Sequence, residues 1–320
     1  MKNFRRGITD KKFISVLKEK YQEGGWWKDV VDDKELFVAI RYEYLNIYYQ
    51  GNSLIKLSFD KKNDNLVAET HYKYLCRPDT KPCLITTRPN GSFFLKRSSR
   101  EDKKRAIDDY LIHNLTEVDS IKKASTAYGG VEKEGIQKIL NCNGNIIDLE
   151  IALTKEAEDD EGNIEEIKGA TAKRIDFAAF QKNTDHYDLL FFEAKHFSNK
   201  ELRAKGDSLP SVLKQISRYR KLLEKYKNEI IESYKLVCCN LCELLPPDQL
   251  DQSIIDIASG TYAIKVDIEP CLVLFGFDED QRTGVYWGPH KEKLVSSLGK
   301  KFLAKGDPTN FTYGISKAKR

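Results

Sequence analysis

Two rhythms of apolar and polar positions run along the 320 residues, and the places where one gives way to the other divide the chain. Near the start, Phe13, Val16, Leu17 and Tyr21 recur at helical spacing and predict an amphipathic helix over about residues 10–21. Period-two segments follow. "ELFVAIR", "YLNIYY", "SLIKLSF" and "NLVAETHYKYL" are predicted strands, with "QGNS" at 50–53 as a hairpin turn. A polar helical region over about 98–125 leads to a second helix at about 131–141. Three strands come next: "IIDLEIAL" (146–153), "AKRIDFAAF" (172–180) and "YDLLFFEAKHF" (187–197). The acidic stretch between the first two reads as a solvated hairpin loop. A long helix at about 209–233 and a strand "YKLVCCNL" at 234–241 complete an order of helix, three strands, helix, strand. Beyond it the pattern predicts a helix near 247–258, strands "YAIKVDI", "CLVLFGF" and "GVYWG", and a last helix near 290–303.

The expected fold class is α/β, of the mixed α+β kind. A β-rich N-terminal region spans 1–95, a larger domain 96–303 has its core at 128–242, and a basic tail runs 304–320. The residues 1–95 carry no recognisable chemistry. Their tyrosines, Tyr42, Tyr44, Tyr48 and Tyr49, either pack the sheet or stack on bases.

Composition narrows the environment. With 40% hydrophobic and 32% charged residues and no run of 18 apolar residues, a membrane-spanning helix is not expected. The first residues, "MKNFRRGITDKKF", lack the apolar stretch of a secretory signal. Seven irregularly spaced cysteines suit a reducing compartment, so a cytoplasmic protein is expected. The net charge of +4 hides segregation: ten Lys/Arg against three Asp/Glu over 71–105, nine against three over 199–227, six against one over 300–320, and two against seven over 154–168. Segregated basic segments fit a polyanion such as nucleic acid, although solvated helix faces give the same pattern.

Three carboxylates stand in apolar surroundings: Asp176 within "RIDFAAF", Glu193 at the end of "LLFFE", and Glu132 at the start of "VEKEGIQKIL". Strand side chains alternate faces, so Glu193 and Lys195 share the face of Leu189 and Phe191, opposite Leu190, Phe192 and Ala194. Glu132 lies four residues before Ile136 and seven before Ile139, on their inward face. Buried carboxylates that converge repel one another and resist ionisation. A divalent cation resolves both difficulties, and hard oxygen ligands suit Mg²⁺ or Mn²⁺. An ammonium beside them, that of Lys195, can stabilise charge developing on a phosphate or hold and help deprotonate an attacking water. On the long helix, Gln215 and Tyr219 are four apart and share a face. The alternative reading of the strand residues is a set of buried ion pairs among Glu193, Asp176, Lys195 and Arg174.

Asp176, then Glu193-x-Lys195, then Gln215-x-x-x-Tyr219 on the following helix resembles the PD-(D/E)XK nuclease superfamily, closest to its exonuclease-like branch. The resemblance covers about residues 128–242. It implies a restriction-endonuclease-like αβββαβ core, with the β-rich N-terminal region and an α/β C-terminal extension added to it. It also implies metal ligation by Asp176 and Glu193, a catalytic role for Lys195, supporting roles for Gln215 and Tyr219, and completion of the metal site by Glu132. Two departures stand out: no proline precedes Asp176, and no upstream histidine supplies a further ligand, a place for which Glu150 is another candidate.

The reaction so implied is Mg²⁺-dependent hydrolysis of DNA phosphodiester bonds, with RNA as the open alternative for substrate. A catalytically silent nucleic-acid-binding or partner-binding module is the alternative function. By family analogy the setting is a bacterial antiviral defence or restriction system, with a separate regulatory subunit or a homodimer as the partners to expect. Arg88, Lys96, Arg97, Arg218 and Arg220 are the expected contacts to the phosphate backbone. The C-x-x-C at 239–242 lacks the second couplet of a zinc site and reads as free thiols. No phosphate-cradling P-loop, nucleophile elbow or dinucleotide fingerprint occurs.

Overall fold

The N-terminal strands form because their segments are rich in aliphatic and aromatic residues and their turns are permissive. A computed structural model describes residues 4–75, 84–87, 93–96, 117–153 and 174–311. The expected acidic loop and the last residues of the tail lie outside these, as do Arg88 and Arg97. Six antiparallel strands run in sequence order: β1 Phe37–Ile40, β2 Tyr44–Tyr49, β3 Asn52–Asp60, β4 Asn65–His71, β5 Leu84–Thr87 and β6 Phe93–Lys96. Between β2 and β3, Gln50 and Gly51 both take left-handed backbone, at φ 46° and 64°. That is what a two-residue hairpin matching the strand twist demands, and glycine adopts it freely. Two helices, α1 Lys11–Glu23 and α2 Trp26–Asp32, precede the sheet. The Asp10 side chain caps α1 by accepting from the amides of Lys12 and Phe13.

The second sheet is mixed. β7 Ile146–Ile151, β8 Ile175–Lys182 and β9 His186–His196 are antiparallel neighbours. β10 Ala263–Val266 and β11 Cys271–Phe275 both run parallel to β9 along the same edge, β10 beside its first half and β11 beside Phe192–His196. β12 Phe302–Gly306 pairs parallel with β11. Helix α3 Val118–Ser125 leads to α4 Val131–Asn141, which covers one face of this sheet. There Phe177 and Phe192 stack with centroids 4.7 Å apart, and Phe311 meets both edge-on. Such aromatic pairs add about 0.5–1.5 kcal/mol each beyond burial. Gly135 sets how closely α4 can approach, since a β-carbon there would fall inside the Phe275 ring.

The other face is covered by α5 Val212–Lys225 and α6 Lys227–Leu244. Here the structure corrects the expectation for 234–241, which is helix rather than strand. Tyr234, Val237, Cys238 and Leu241 are the buried stripe of α6. The parallel strand next to β9 comes later, after α7 Gln252–Ala258. Two further expectations fail. Residues 284–287, "GVYW", form no strand, and lie between α8 Glu279–Thr283 and α9 Gly288–Leu298. The last helix stops at Leu298, and residues 302–306 become β12.

The first residues and the β1–β4 sheet share one apolar core with α6 and the inner face of β7–β9, from Phe4 and Leu45 to Phe191 and Tyr234. Across this junction Arg6 and Arg41 both pair with the buried Asp148 of β7, which also accepts a hydrogen bond of 2.8 Å from the Tyr234 hydroxyl. Buried charge of this kind is tolerated only when its partners are in place. The β2–β3 hairpin also grips α4: the Gln50 amide donates to Gln137 Oε1 at 2.8 Å, and Lys133 Nζ donates to Asn52 Oδ1 at 3.0 Å. No helix among the described residues is long and apolar enough to cross a membrane.

Candidate active site

β9 fixes the site by plain alternation. Leu189 and Phe191 enter the core beneath α5 and α6, while Leu190, Phe192 and Ala194 enter the core beneath α4. Glu193 and Lys195 continue the first of these faces to the end of the strand, as expected. Glu193 is 1% exposed and Lys195 7% exposed, so both charges have left bulk water. Their ion pair is 2.6 Å long.

Asp176, on the neighbouring β8, is half-buried, and its Oδ2 accepts the Ala194 amide at 2.6 Å. That bond ties the aspartate to the backbone between Glu193 and Lys195. Burial, and then the Glu193 carboxylate, push the Asp176 carboxyl well above the usual carboxylate range. Burial likewise lifts Glu193, to about 7, against the opposing pull of Lys195. For the lysine, burial favours the neutral form, but Glu193, Asp176 and Glu132 outweigh it and keep the ammonium charged.

The helix pair reaches the same place. Gln215 Nε2 donates to Glu193 Oε1 at 2.6 Å and contacts the Tyr219 hydroxyl at 2.7 Å. That hydroxyl in turn donates to the Arg174 carbonyl at 2.7 Å. Burial and the nearby Glu193 carboxylate push the Tyr219 phenol up, so it remains a donor. The amide and the phenol thus hold the glutamate from the helix side, and the lysine holds it from the strand.

Glu132 closes the site from α4. Its Oε1 lies 3.5 Å from Lys195 Nζ, and its Oε2 accepts from the His196 amide at 3.2 Å and from Asn199 Nδ2 at 2.9 Å. Asn199 and Glu201, the latter with Oε2 3.7 Å from Lys195 Nζ, are site residues that sequence reasoning missed. Both sit in the loop after β9, where no local spacing marks them. Lys195 therefore has three carboxylates around it, from β9, α4 and this loop.

Glu150 enters from β7 by a backbone irregularity. The register pairs Leu149 with Phe177 and Ile151 with Ile175, which sets Glu150 opposite Asp176. Its φ of 48° is left-handed, a conformation that costs a non-glycine residue roughly 1–2 kcal/mol. The irregularities of β7 break the simple alternation of faces that its strand character implies. Leu149 joins the core beneath α4, and Ile151 the core beneath α6. Asp148, two residues before Glu150, is consumed by Arg6, Arg41 and Tyr234.

A divalent cation can be tested against these groups. Glu193 Oε2 is a buried carboxylate oxygen without a hydrogen-bond partner, a costly arrangement unless a cation meets it. Two carboxylates that resist ionisation, one with an unmet oxygen, fit a hard cation that keeps several waters. Among the described residues no three His, Cys, Asp or Glu side chains are gathered to hold a metal by themselves. Asp176 and Glu193 are the pair that would bind it, while both oxygens of Glu132 are already engaged by Lys195, His196 and Asn199.

Of the expected backbone-binding residues, Arg218 and Arg220 are exposed on α5, and Arg220 pairs with Glu269 at 2.9 Å. Lys96 lies on β6, remote in sequence from the site elements. No family model, no curated protein and no solved structure matches the chain.

Proposed function

We propose that this chain is a metal-dependent nuclease hydrolysing phosphodiester bonds in DNA. The observation that carries the reading is the orphaned Glu193 Oε2, set beside Asp176 and the charged Lys195 at the end of a rigid strand. The element order from α4 through β7, β8, β9 and α5 supports a core of the restriction-endonuclease type, with β10 and β11 supplying the strands parallel to β9. When bound, a divalent cation supplies an acidified water and neutralises phosphate charge.

The chain's own residues do the rest. Asp176 and Glu193 would hold the cation. Gln215 fixes Glu193 Oε1 so that the other oxygen stays presented. Lys195 is a cation and not a base, because its carboxylate neighbours hold it protonated. Its contribution is to meet charge that grows on the phosphate oxygens in the transition state, from a preformed position with little water to displace. Glu132, braced by Asn199, keeps that ammonium aimed at the strand end. The site would serve RNA by the same chemistry, and the setting in bacterial defence, together with a regulatory subunit, belongs to this proposal as well.

The test is cleavage of linear, circular and single-stranded DNA, and of RNA, with Mg²⁺ or Mn²⁺ and with EDTA. Asp176→Ala and Lys195→Ala variants with unchanged circular dichroism are expected to cut none of them. Cleavage by either variant at the parent rate overturns the assignment. Binding without cleavage by the parent chain identifies a silent nucleic-acid-binding module instead.

A further inference from the structure

Immediately beyond the site, the chain leaving β9 lines an open cavity of about 390 Å³, within the size range of small-molecule sites. Phe197, Arg203, Gln281, Tyr286, Trp287 and His290 line it. Its walls are mostly flat rings: Phe197 and Trp287 meet at 66° with centroids 5.0 Å apart, and Trp287 and His290 lie 6.2 Å apart. The Arg203 guanidinium sits over both the Phe197 ring, at 4.6 Å, and the Trp287 ring, at 5.2 Å. The Ala204 amide donates to His290 Nδ1 at 3.0 Å, so the remaining ring nitrogen carries the hydrogen and is a donor. Tyr286, 95% exposed, lines it from a turn without regular structure, next to Val285, 87% exposed. A phenol ring held almost wholly in water is an unusual use of a tyrosine unless something stacks on it.

The cavity and the Lys195 site are joined by the chain that leaves β9. Phe197 follows Lys195 by two residues of extended chain, about 7 Å. Arg203 Nη1 donates to the carbonyls of Phe197 and Asn199, and the Asn199 side chain holds Glu132 against Lys195. The cavity wall is thus tied to the brace of the ammonium through one hydrogen bond, from Arg203 to Asn199.

We propose that this cavity takes one unstacked nucleobase of a DNA strand whose phosphate lies at Lys195, so that the substrate is single-stranded where it is cut. The inference rests on the nuclease reading and deepens it by naming the substrate class. Flat rings and a guanidinium accept the face of any base, and the His290 donor offers one bond to a base edge without selecting among bases. A base paired in a duplex cannot enter without being drawn from the stack, which is costly except where pairing is already absent. Stacking on aromatic side chains is how sequence-tolerant single-strand binders gain affinity.

The experiment measures fluorescence anisotropy of a labelled oligothymidine with the full chain in EDTA, against a duplex of equal length and an oligothymidine carrying one abasic position. Tyr286→Ala removes only an exposed ring, and Tyr286→Phe restores it. The single strand is expected to bind at least about tenfold more tightly than the duplex. Tyr286→Ala should lose about tenfold on the single strand, with Tyr286→Phe close to the parent. An equal affinity for single strand and duplex, or Tyr286→Ala binding like the parent, overturns the proposal. So does an effect of Tyr286→Ala confined to the oligomeric state on size exclusion, which marks the patch as a contact between copies. Parallel assays with Mg²⁺ separate the two ideas. If Tyr286→Ala weakens single-strand binding while the parent cuts no DNA, the base pocket stands and the nuclease reading falls. Efficient cutting of duplex with no effect of Tyr286→Ala gives the reverse.

Discussion

Lys195 and Glu193 lie 2.6 Å apart on one face of one strand, and the pair leaves the second glutamate oxygen buried without a partner. A simple structural ion pair has no need of an unpaired buried oxygen, whereas a metal-holding carboxylate does. Glu193→Gln keeps the shape and the Gln215 contact but removes the charge. It is expected to abolish Mg²⁺-dependent cleavage, with retention of the parent's circular dichroism. Loss of Mg²⁺ binding in isothermal titration should accompany it, and unaltered cleavage would count against Glu193 as a ligand.

The raised carboxyls predict an unusual pH dependence. Glu193 ionises near 4.5 when unfolded and near 7 when folded, so between these values the folded state holds more protons. Stability from this group is therefore greatest below about 4.5 and falls as pH rises through about 7, the opposite of a salt-bridged carboxylate with a depressed value. In EDTA the Tm difference between Glu193→Gln and the parent should widen in favour of the variant from pH 5 to pH 8. Added Mg²⁺ should raise the parent's Tm more at pH 8 than at pH 5, and cleavage should rise across the same interval. A Tm difference flat with pH contradicts the titration.

Gln215 and Tyr219 act on Glu193 from α5, and their removal should separate rate from stability. Tyr219→Phe loses a buried donor to the Arg174 carbonyl, at a cost of about 1–2 kcal/mol by urea denaturation. Gln215→Ala leaves Glu193 Oε1 held by Lys195 without the helix amide and is expected to lower kcat at least tenfold. If Gln215→Ala changes stability alone, it merely packs the helix.

The charge cluster around Asp148 is structural, and its removal should show as instability rather than lost chemistry. Asp148→Ala removes the buried carboxylate that Arg6 and Arg41 share, a loss of about 3–5 kcal/mol. Chemical denaturation with a folded fraction assayed for cleavage checks both halves: lower stability, normal activity per folded molecule.

Gly135 predicts that the distance of α4 from the sheet matters to the site. Gly135→Ala meets Phe275 and should cost about 1–3 kcal/mol while displacing Glu132 from Lys195. The double variant with Phe275→Leu should regain both stability and rate. Failure of the second change to rescue the first would place the effect elsewhere.

Much of this arrangement was legible in the sequence, and the failures have physical reasons. The faces of β9 and the helix 131–141 followed from period alone, since neither is interrupted. The stretch 234–241 was misread because a short apolar run fits a strand or a buried helix equally. Tyr234, Val237, Cys238 and Leu241, at i, i+3, i+4 and i+7, carried the correct answer in the same letters. β7 was misread for a different reason, since a left-handed glutamate cannot be seen in an alternation pattern. Asp176, Glu193, Lys195, Gln215 and Tyr219 were found because strand and helix spacing bring them together. Asn199 and Glu201 were not, because a loop residue reaches Lys195 through space and leaves no rhythm in the chain.

The two strands on one edge of β9 also order events in time. The segment bearing Glu193 is paired on one side by β8, which precedes it, and on the other only by Cys271–Phe275, some 75 residues later in synthesis. A nascent chain emerging from the ribosome thus carries every charged group of the site long before the strand that holds them is flanked. The site is flanked on both sides only once Cys271–Phe275 has joined the sheet.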